Sequence, residues 1–160
     1  MEYLDVVNDE DEVVGKASRD KIYKNLLSHR IVHVLIFNST GEMALQLRTK
    51  NMSHCPLHWS TSAGGHVKSG ESYQEAAERE LKEECGIDTN IEFMFKDRYI
   101  HKDILTKFLS TFKTLYDQPL KMKNREVETI EFFSINKIKE MIRKGEKILP
   151  ELKYIIDNHF

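Results

Sequence analysis

Three glutamates, Glu80, Glu83 and Glu84, stand at i, i+3 and i+4. At about 100° per residue they fall on one stripe of a helix. Acids on a helix usually face water, but the neighbours of these three argue otherwise. Tyr73, Ala76, Ala77 and Leu81 gather on the side expected to meet a core, and the glutamate stripe overlaps that of Ala76 and Ala77. Glu75, Glu78, Arg79 and Lys82 fall opposite and are expected to face water. Three crowded carboxylates repel one another, and burying an unpaired one costs several kcal/mol. Glu83 and Glu84 also occupy the last turn, where the helix dipole disfavours each acid by roughly 0.3–1 kcal/mol. The basic residues of this helix are Arg79, at the edge of the stripe beside Glu83, and Lys82, on the far side. One arginine cannot balance three carboxylates. Hard divalent cations, which take carboxylate and carbonyl oxygens, are the simplest partner. Magnesium held by one or two carboxylates keeps positions open for phosphate oxygens and water, which is the chemistry of phosphoryl compounds. The preceding Gly64-Gly65 pair would let backbone approach a ligand closely.

The elements that must position these acids follow from local chemistry. Ser72, with Glu75 three residues on, makes a capping box, and Gly86 supplies a C-terminal stop. Residues 51 to 70 read as loop. Leu4 to Val7 reads as a short strand broken by Asn8-Asp9-Glu10-Asp11, and Ser18 caps a short helix reaching Leu27. Ile31 to Phe37 and Glu42 to Arg48 read as strands joined by Asn38-Ser39-Thr40-Gly41, hence as a hairpin. Ile91 to Ile100, Leu105 to Tyr116 and Glu126 to Phe133 are further strands. Ser134 caps a helix bearing Ile135, Ile138, Met141 and Ile142 on one face, and Pro150 opens a last one with Leu152, Ile155 and Ile156. The mixture predicts an α+β or three-layer α/β/α domain.

Composition narrows the class. The chain has 160 residues, 40% of them hydrophobic, with 24 Lys+Arg against 26 Asp+Glu. That is one domain's worth of core, and the balance advertises neither nucleic acid nor a disordered acidic tail. The longest apolar run, Val34 to Phe37, is too short for a bilayer. The opening Met1 to Asp5 lacks the basic and apolar parts of a secretory signal, and two cysteines, Cys55 and Cys85, fit free thiols; a cytoplasmic location is expected.

Gly65, Glu71 and the run Arg79-Glu80-Leu81-Lys82-Glu83-Glu84-Cys85-Gly86-Ile87 together resemble a complete Nudix box, G-x5-E-x7-R-E-U-x-E-E-x-G-U, with U a bulky aliphatic. The match fills every defined position from Gly65 to Ile87. The resemblance implies a single Nudix domain over 1–160, an α/β/α sandwich with a mixed central sheet. It also implies a hydrolase of the diphosphate linkage in X-diphosphate compounds, nucleoside-linked, with Mg2+ or Mn2+ as cofactor and no membrane partner. Glu80, Glu83 and Glu84 would bind cations, with the Gly65 carbonyl and with Glu71 directly or through water, while Arg79 would orient the carboxylates. The base would be Glu80 or Glu83, or a loop glutamate before the last strand, Glu126 or Glu128. Cys85, an unspecified box position, reads as packing. Selectivity for X is expected in the loops 51–60, 101–104 and 117–125.

The wider sequence resembles a subgroup related to isopentenyl diphosphate isomerase, in Leu4 to Asn8, His29-Arg30, Leu47-Arg48 and Trp59 to His66. That enzyme's cysteine precedes the Gly-His pair, and here Gly64 stands in its place and can move no proton. Its upstream metal-binding histidine is replaced by Ile22, and its paired glutamates are not evident around Leu105 to Ser110. His29 and His66 match its metal-site positions but lack those partners, and read as structural. His54, Cys55 and His58 fit no zinc spacing and read as a loop near the substrate; Trp59 reads as core or loop anchor. A silent nucleotide-binding module is the third reading, and it would have lost box carboxylates, whereas all remain.

Overall fold

The computed structural model describes residues 1–121 and 125–160. Tyr3–Val7 (β1) and Val13–Ser18 (β2) form an antiparallel pair that leads into a short helix, Arg19–Lys24 (α1), capped by Ser18. His29–Phe37 (β3) and Met43–Arg48 (β4) follow, then the short Trp59–Ser60 (β5) and Ala63–His66 (β6). After the helix Tyr73–Cys85 (α2) come Glu92–His101 (β7), Leu105–Leu115 (β8) and Val127–Phe133 (β9). Ile135–Arg143 (α3) and Pro150–His159 (α4) complete the chain.

Strands β3 to β9 make one mixed sheet in the order β5-β4-β3-β8-β7, with β6 also on β3 and β9 also on β4. Among the described strand pairs of this sheet, β3 and β8 run parallel and the others antiparallel. Strand parity divides the two faces. Val32, Val34 and Ile36 pack with Ala63 and Phe112 against Ala76, Ala77 and Leu81 of α2. On the other face, Leu35, Met43 and Leu45 meet Ile138 of α3 and Leu152, Ile155 and Ile156 of α4. The expected three-layer sandwich is therefore present.

Three local expectations are corrected. Strand β2 was not foreseen. The segment 51–70, read as loop, contains β5 and β6. The 31–48 hairpin is joined only at its mouth, with Phe37 opposite Met43, after which β3 takes β6 as neighbour and β4 takes β9 and β5. Ser62 spans that seam, accepting the Ile36 N–H at 2.8 Å and donating to the Ala44 carbonyl at 2.5 Å. This hydroxyl satisfies ladder groups that the parted strands leave open.

Candidate active site

The acid helix starts where its capping chemistry dictates. Ser72 Oγ accepts the Glu75 N–H at 3.1 Å, the Glu75 carboxylate accepts the Ser72 N–H at 2.8 Å, and Gly86 ends the helix at φ 69°. Ala76, Ala77 and Leu81 are buried as expected, which aims the glutamate stripe along the edge of the sheet.

Arg79 does not face water. Its Nε donates to Glu71 Oε1 at 2.7 Å and its Nη2 to Glu71 Oε2 at 3.0 Å, a two-point grip. Nη1 reaches Glu80 Oε1 at 2.8 Å and, more weakly, Glu83 Oε2 at 3.4 Å, and Nη2 also reaches the His66 carbonyl at 3.0 Å. The arginine thus ties box acids on α2 and on the preceding loop to the end of β6. Burial opposes the Glu71 charge, but the Arg79 hydrogen bonds outweigh it and hold that carboxyl below its usual range. For Glu80, burial outweighs Arg79, and its carboxyl lies above the usual range.

Glu84 is the acid that Arg79 does not reach. Burial, followed by the charge of Glu80, pushes its carboxyl up to about 8. Its Oε2 accepts from Gln46 Nε2 at 3.1 Å and from the Gly64 N–H at 3.2 Å, both neutral donors. A Cβ added at Gly65 would run into the Glu80 carboxylate, so the glycine leaves room for that carboxylate to lie directly against β6. Glu83 is more than half exposed at the helix end.

Among the described residues no three acid, imidazole or thiol side chains are already gathered as an ion cage. The donor set nonetheless fits a hard divalent cation. It consists of carboxylate oxygens beside a glycine backbone, one of them, on Glu84, partly buried and lacking a cationic partner among the described residues.

These groups open onto a cavity of about 860 Å³. It forms where β3 and β4 part: Ile31 and His33 line one wall, Gln46 and Arg48 the other, with Gly64, Gly65 and Glu84 at the acid end. Of the two glutamates expected before the last strand, Glu126 lines the cavity and adds to the negative field at Glu84, while Glu128 lies within β9 and is exposed outside the cavity. The 51–60 segment contributes Asn51 to His54 and Ser60, and the 101–104 loop contributes His101, Lys102 and Ile104. None of the described residues of the 117–125 loop lines the cavity, and its positions 122–124 lie outside the described residues.

His29 and His66 stack at 5.6 Å, with Tyr23 edge-on to both. His29 donates Nδ1–H to the Leu27 carbonyl at 2.9 Å, which leaves its buried Nε2 without a partner among the described residues. Burial lowers His29 to about 4 and His66 to about 3, so both rings are neutral at pH 7. The isomerase-type cysteine position is closed. A Cβ at Gly64 would lie 2.8 Å from the Val32 carbonyl oxygen and 3.0 Å from His33 Nδ1. His54 lines the cavity with Cys55 beside it, and His58 bonds the Pro56 carbonyl. Cys85 is buried, and burial raises its thiol to about 12, an inert packing group.

Sequence reasoning missed Gln46, His33, Lys107 and Glu151. Lys107 and His33 did leave a signal, since each stands at core-facing parity in an apolar strand, beside Leu105 and Leu109 or Ile31 and Leu35.

A family model for the NUDIX domain matches residues 27–152. An uncharacterized Nudix hydrolase from Nostoc is 31% identical over 156 residues, covering 95% of this chain and 92% of its own. The crystal structure of DR0079 from Deinococcus radiodurans superposes with a TM-score of 0.87 at 24% identity, over 99% of each chain. The NUDIX domain of Shewanella oneidensis NrtR, solved with ADP ribose, superposes with a TM-score of 0.64 at 14% identity, over 88% of this chain and 96% of its own. With an intact box folded as a capped acid helix against the glycine strand, and with a family model covering most of its length, the chain belongs to the Nudix hydrolase family.

Proposed function

We propose that this protein is a divalent-cation-dependent pyrophosphohydrolase that cleaves the diphosphate linkage of nucleoside-linked X-diphosphate compounds. The observation that carries this reading is Glu84, a largely enclosed carboxylate at the cavity wall without a cationic partner among the described residues, set beside Glu80 and Gly65 at the end of a substrate-sized cavity. Glu80, Glu83 and Glu84, with the Gly65 carbonyl and Glu71, would hold Mg2+ or Mn2+. A cation so placed neutralises phosphate oxygens and acidifies water.

The chain's own groups supply the rest. Arg79 fixes Glu71 and Glu80 in orientation, and Gln46 and the Gly64 N–H fix Glu84. A glutamate takes the proton from the attacking water, either Glu80 or Glu83 on the helix or Glu126 from the facing wall. The ADP ribose bound by the NrtR domain is a compound of the proposed class. The closed space at Gly64 counts against an alkene isomerase, whose cysteine has no room there.

The test is release of phosphate or nucleotide from a panel of nucleoside diphosphates, nucleotide sugars, ADP-ribose and dinucleotides, with Mg2+, Mn2+ or chelator. Cleavage that depends on the cation supports the reading. A panel left intact under every condition, or isopentenyl diphosphate isomerised instead, overturns it.

A further inference from the structure

The cavity has a second cluster of ionisable groups, away from the acid helix. Lys107 of β8 points to the core-facing side and donates from Nζ to Glu151 Oε1 at 2.9 Å. Glu151, in the first turn of α4, pairs its other oxygen with His33 Nε2 at 2.9 Å. His33 in turn meets Thr61 Oγ1 through Nδ1 at 2.8 Å. The Lys107 ammonium also lies over the Tyr23 ring, 5.7 Å from its centre. All five residues line the same cavity as Gly65 and Glu84.

Fold stability does not call for this arrangement. Lys107 is 7% exposed, and a buried ion pair is often no better than apolar side chains of the same volume. Two features remain after the internal bonds are assigned. An ammonium has three donors, and among the described residues Lys107 spends one, on Glu151. Its charge is matched at contact distance by Glu151, so the pair offers a directed N–H without a net field that would draw a second anion. The acid end of the cavity already answers to phosphate. The opposite end therefore offers the unspent Lys107 N–H to an oxygen acceptor on the rest of the substrate, with Arg48 and Lys102 lining the same cavity.

We propose that Lys107, held and neutralised by Glu151, is the specificity contact for the X group, donating to a sugar hydroxyl or nucleobase carbonyl. This rests on the diphosphate reading of the cavity, and the test separates the two.

Calorimetric titration with Mg2+ would use two uncleavable probes, α,β-methylene-ADP and methylenebisphosphonate, the second lacking any X. Lys107→Met should weaken the nucleotide about tenfold, the worth of one hydrogen bond to a charged group, and leave the bisphosphonate unchanged. Equal loss for both probes, or no loss, overturns the proposal, as does a wild type that binds the nucleotide no better than the bisphosphonate. Glu151→Gln keeps an acceptor for Lys107 but uncovers its charge. It should shift preference about fivefold toward α,β-methylene-ADP bearing an added 2′-phosphate. An unmoved ratio overturns the proposal, even where the Lys107 variant fails to fold. Cleavage of ADP itself reports separately on the hydrolase reading: binding as described with no cleavage removes that reading and leaves the subsite in place.

Discussion

Replacing Arg79 with methionine tests whether one guanidinium holds the acid cluster together. The substitution keeps a flexible chain of similar length and removes the donors to Glu71, Glu80 and the His66 carbonyl. Taking one partner from a buried ion pair costs about 3–5 kcal/mol, because the other partner stays behind as an uncompensated charge. The side chains keep 20%, 15% and 13% of their exposure for Arg79, Glu71 and Glu80, so water relieves part of that cost. The lower end, about 3 kcal/mol, is the expected loss. For a chain of this size it lowers the melting temperature by roughly 6–12 °C. Thermal unfolding followed by circular dichroism reads this directly, first with chelator and then with millimolar Mg2+. The variant presents the same acids without their internal counter-charge, so the cation should stabilise it more than the wild type and narrow the gap. A variant melting within about 2 °C of wild type in chelator would refute the role assigned to Arg79. A gap that Mg2+ leaves untouched would refute the cation reading of the cluster.

Three further outcomes are expected. Glu83→Gln should lower turnover by orders of magnitude while leaving the unfolding curve in place, since that side chain is largely exposed; a normal rate sinks the helix-site model. Gly64→Cys should gain no isomerase activity, and its Cβ contact with the Val32 carbonyl oxygen should cost about 1–3 kcal/mol of stability, measured by urea unfolding; conversion of isopentenyl diphosphate by this variant would show the position to be less closed than it looks. Asp11, at φ 60°, accepts from Arg30, Lys96 and Tyr73, and asparagine tolerates that backbone. Burial opposes the Asp11 charge, but these donors outweigh it and hold its carboxyl below the usual value. Its contribution is therefore present above the unfolded-state value and is lost as pH falls through the lowered folded one. Asp11→Asn should destabilise the protein by about 2 kcal/mol at pH 7, with the difference shrinking on acidification below pH ~4; a pH-independent difference would contradict this.

What the sequence revealed and what it hid follow from the range of the interactions. The acid helix was legible because its cap, its apolar stripe and its stop all lie within Ser72 to Gly86. Strands β3 and β8 were legible as long apolar runs. Strand β2 was not, because its residues are mostly exposed and carry no buried alternation. Strand β6 was hidden by its glycines, which mark a loop to any local rule and here permit the approach of Glu80. The parting of β3 from β4 is a choice among partners distant in sequence, and no turn residue records it. The Arg79 partners were half visible: Glu83 is one helical turn away, but Glu71 and the His66 carbonyl are reached only once the preceding loop has folded back.

The link from His33 through Glu151 to Lys107 also bears on how the protein is made. Glu151 pairs with a residue 118 positions before it and with another 44 before it. During synthesis the sheet strands that carry His33 and Lys107 emerge well ahead of the helix that brings their carboxylate. Until that helix docks, the floor of the cavity holds a lysine without its counter-ion in an apolar setting, which favours an open, hydrated pocket over a closed one. The nascent chain can thus assemble its acid helix and most of its sheet early, while a finished binding cavity waits until α4 has left the ribosome.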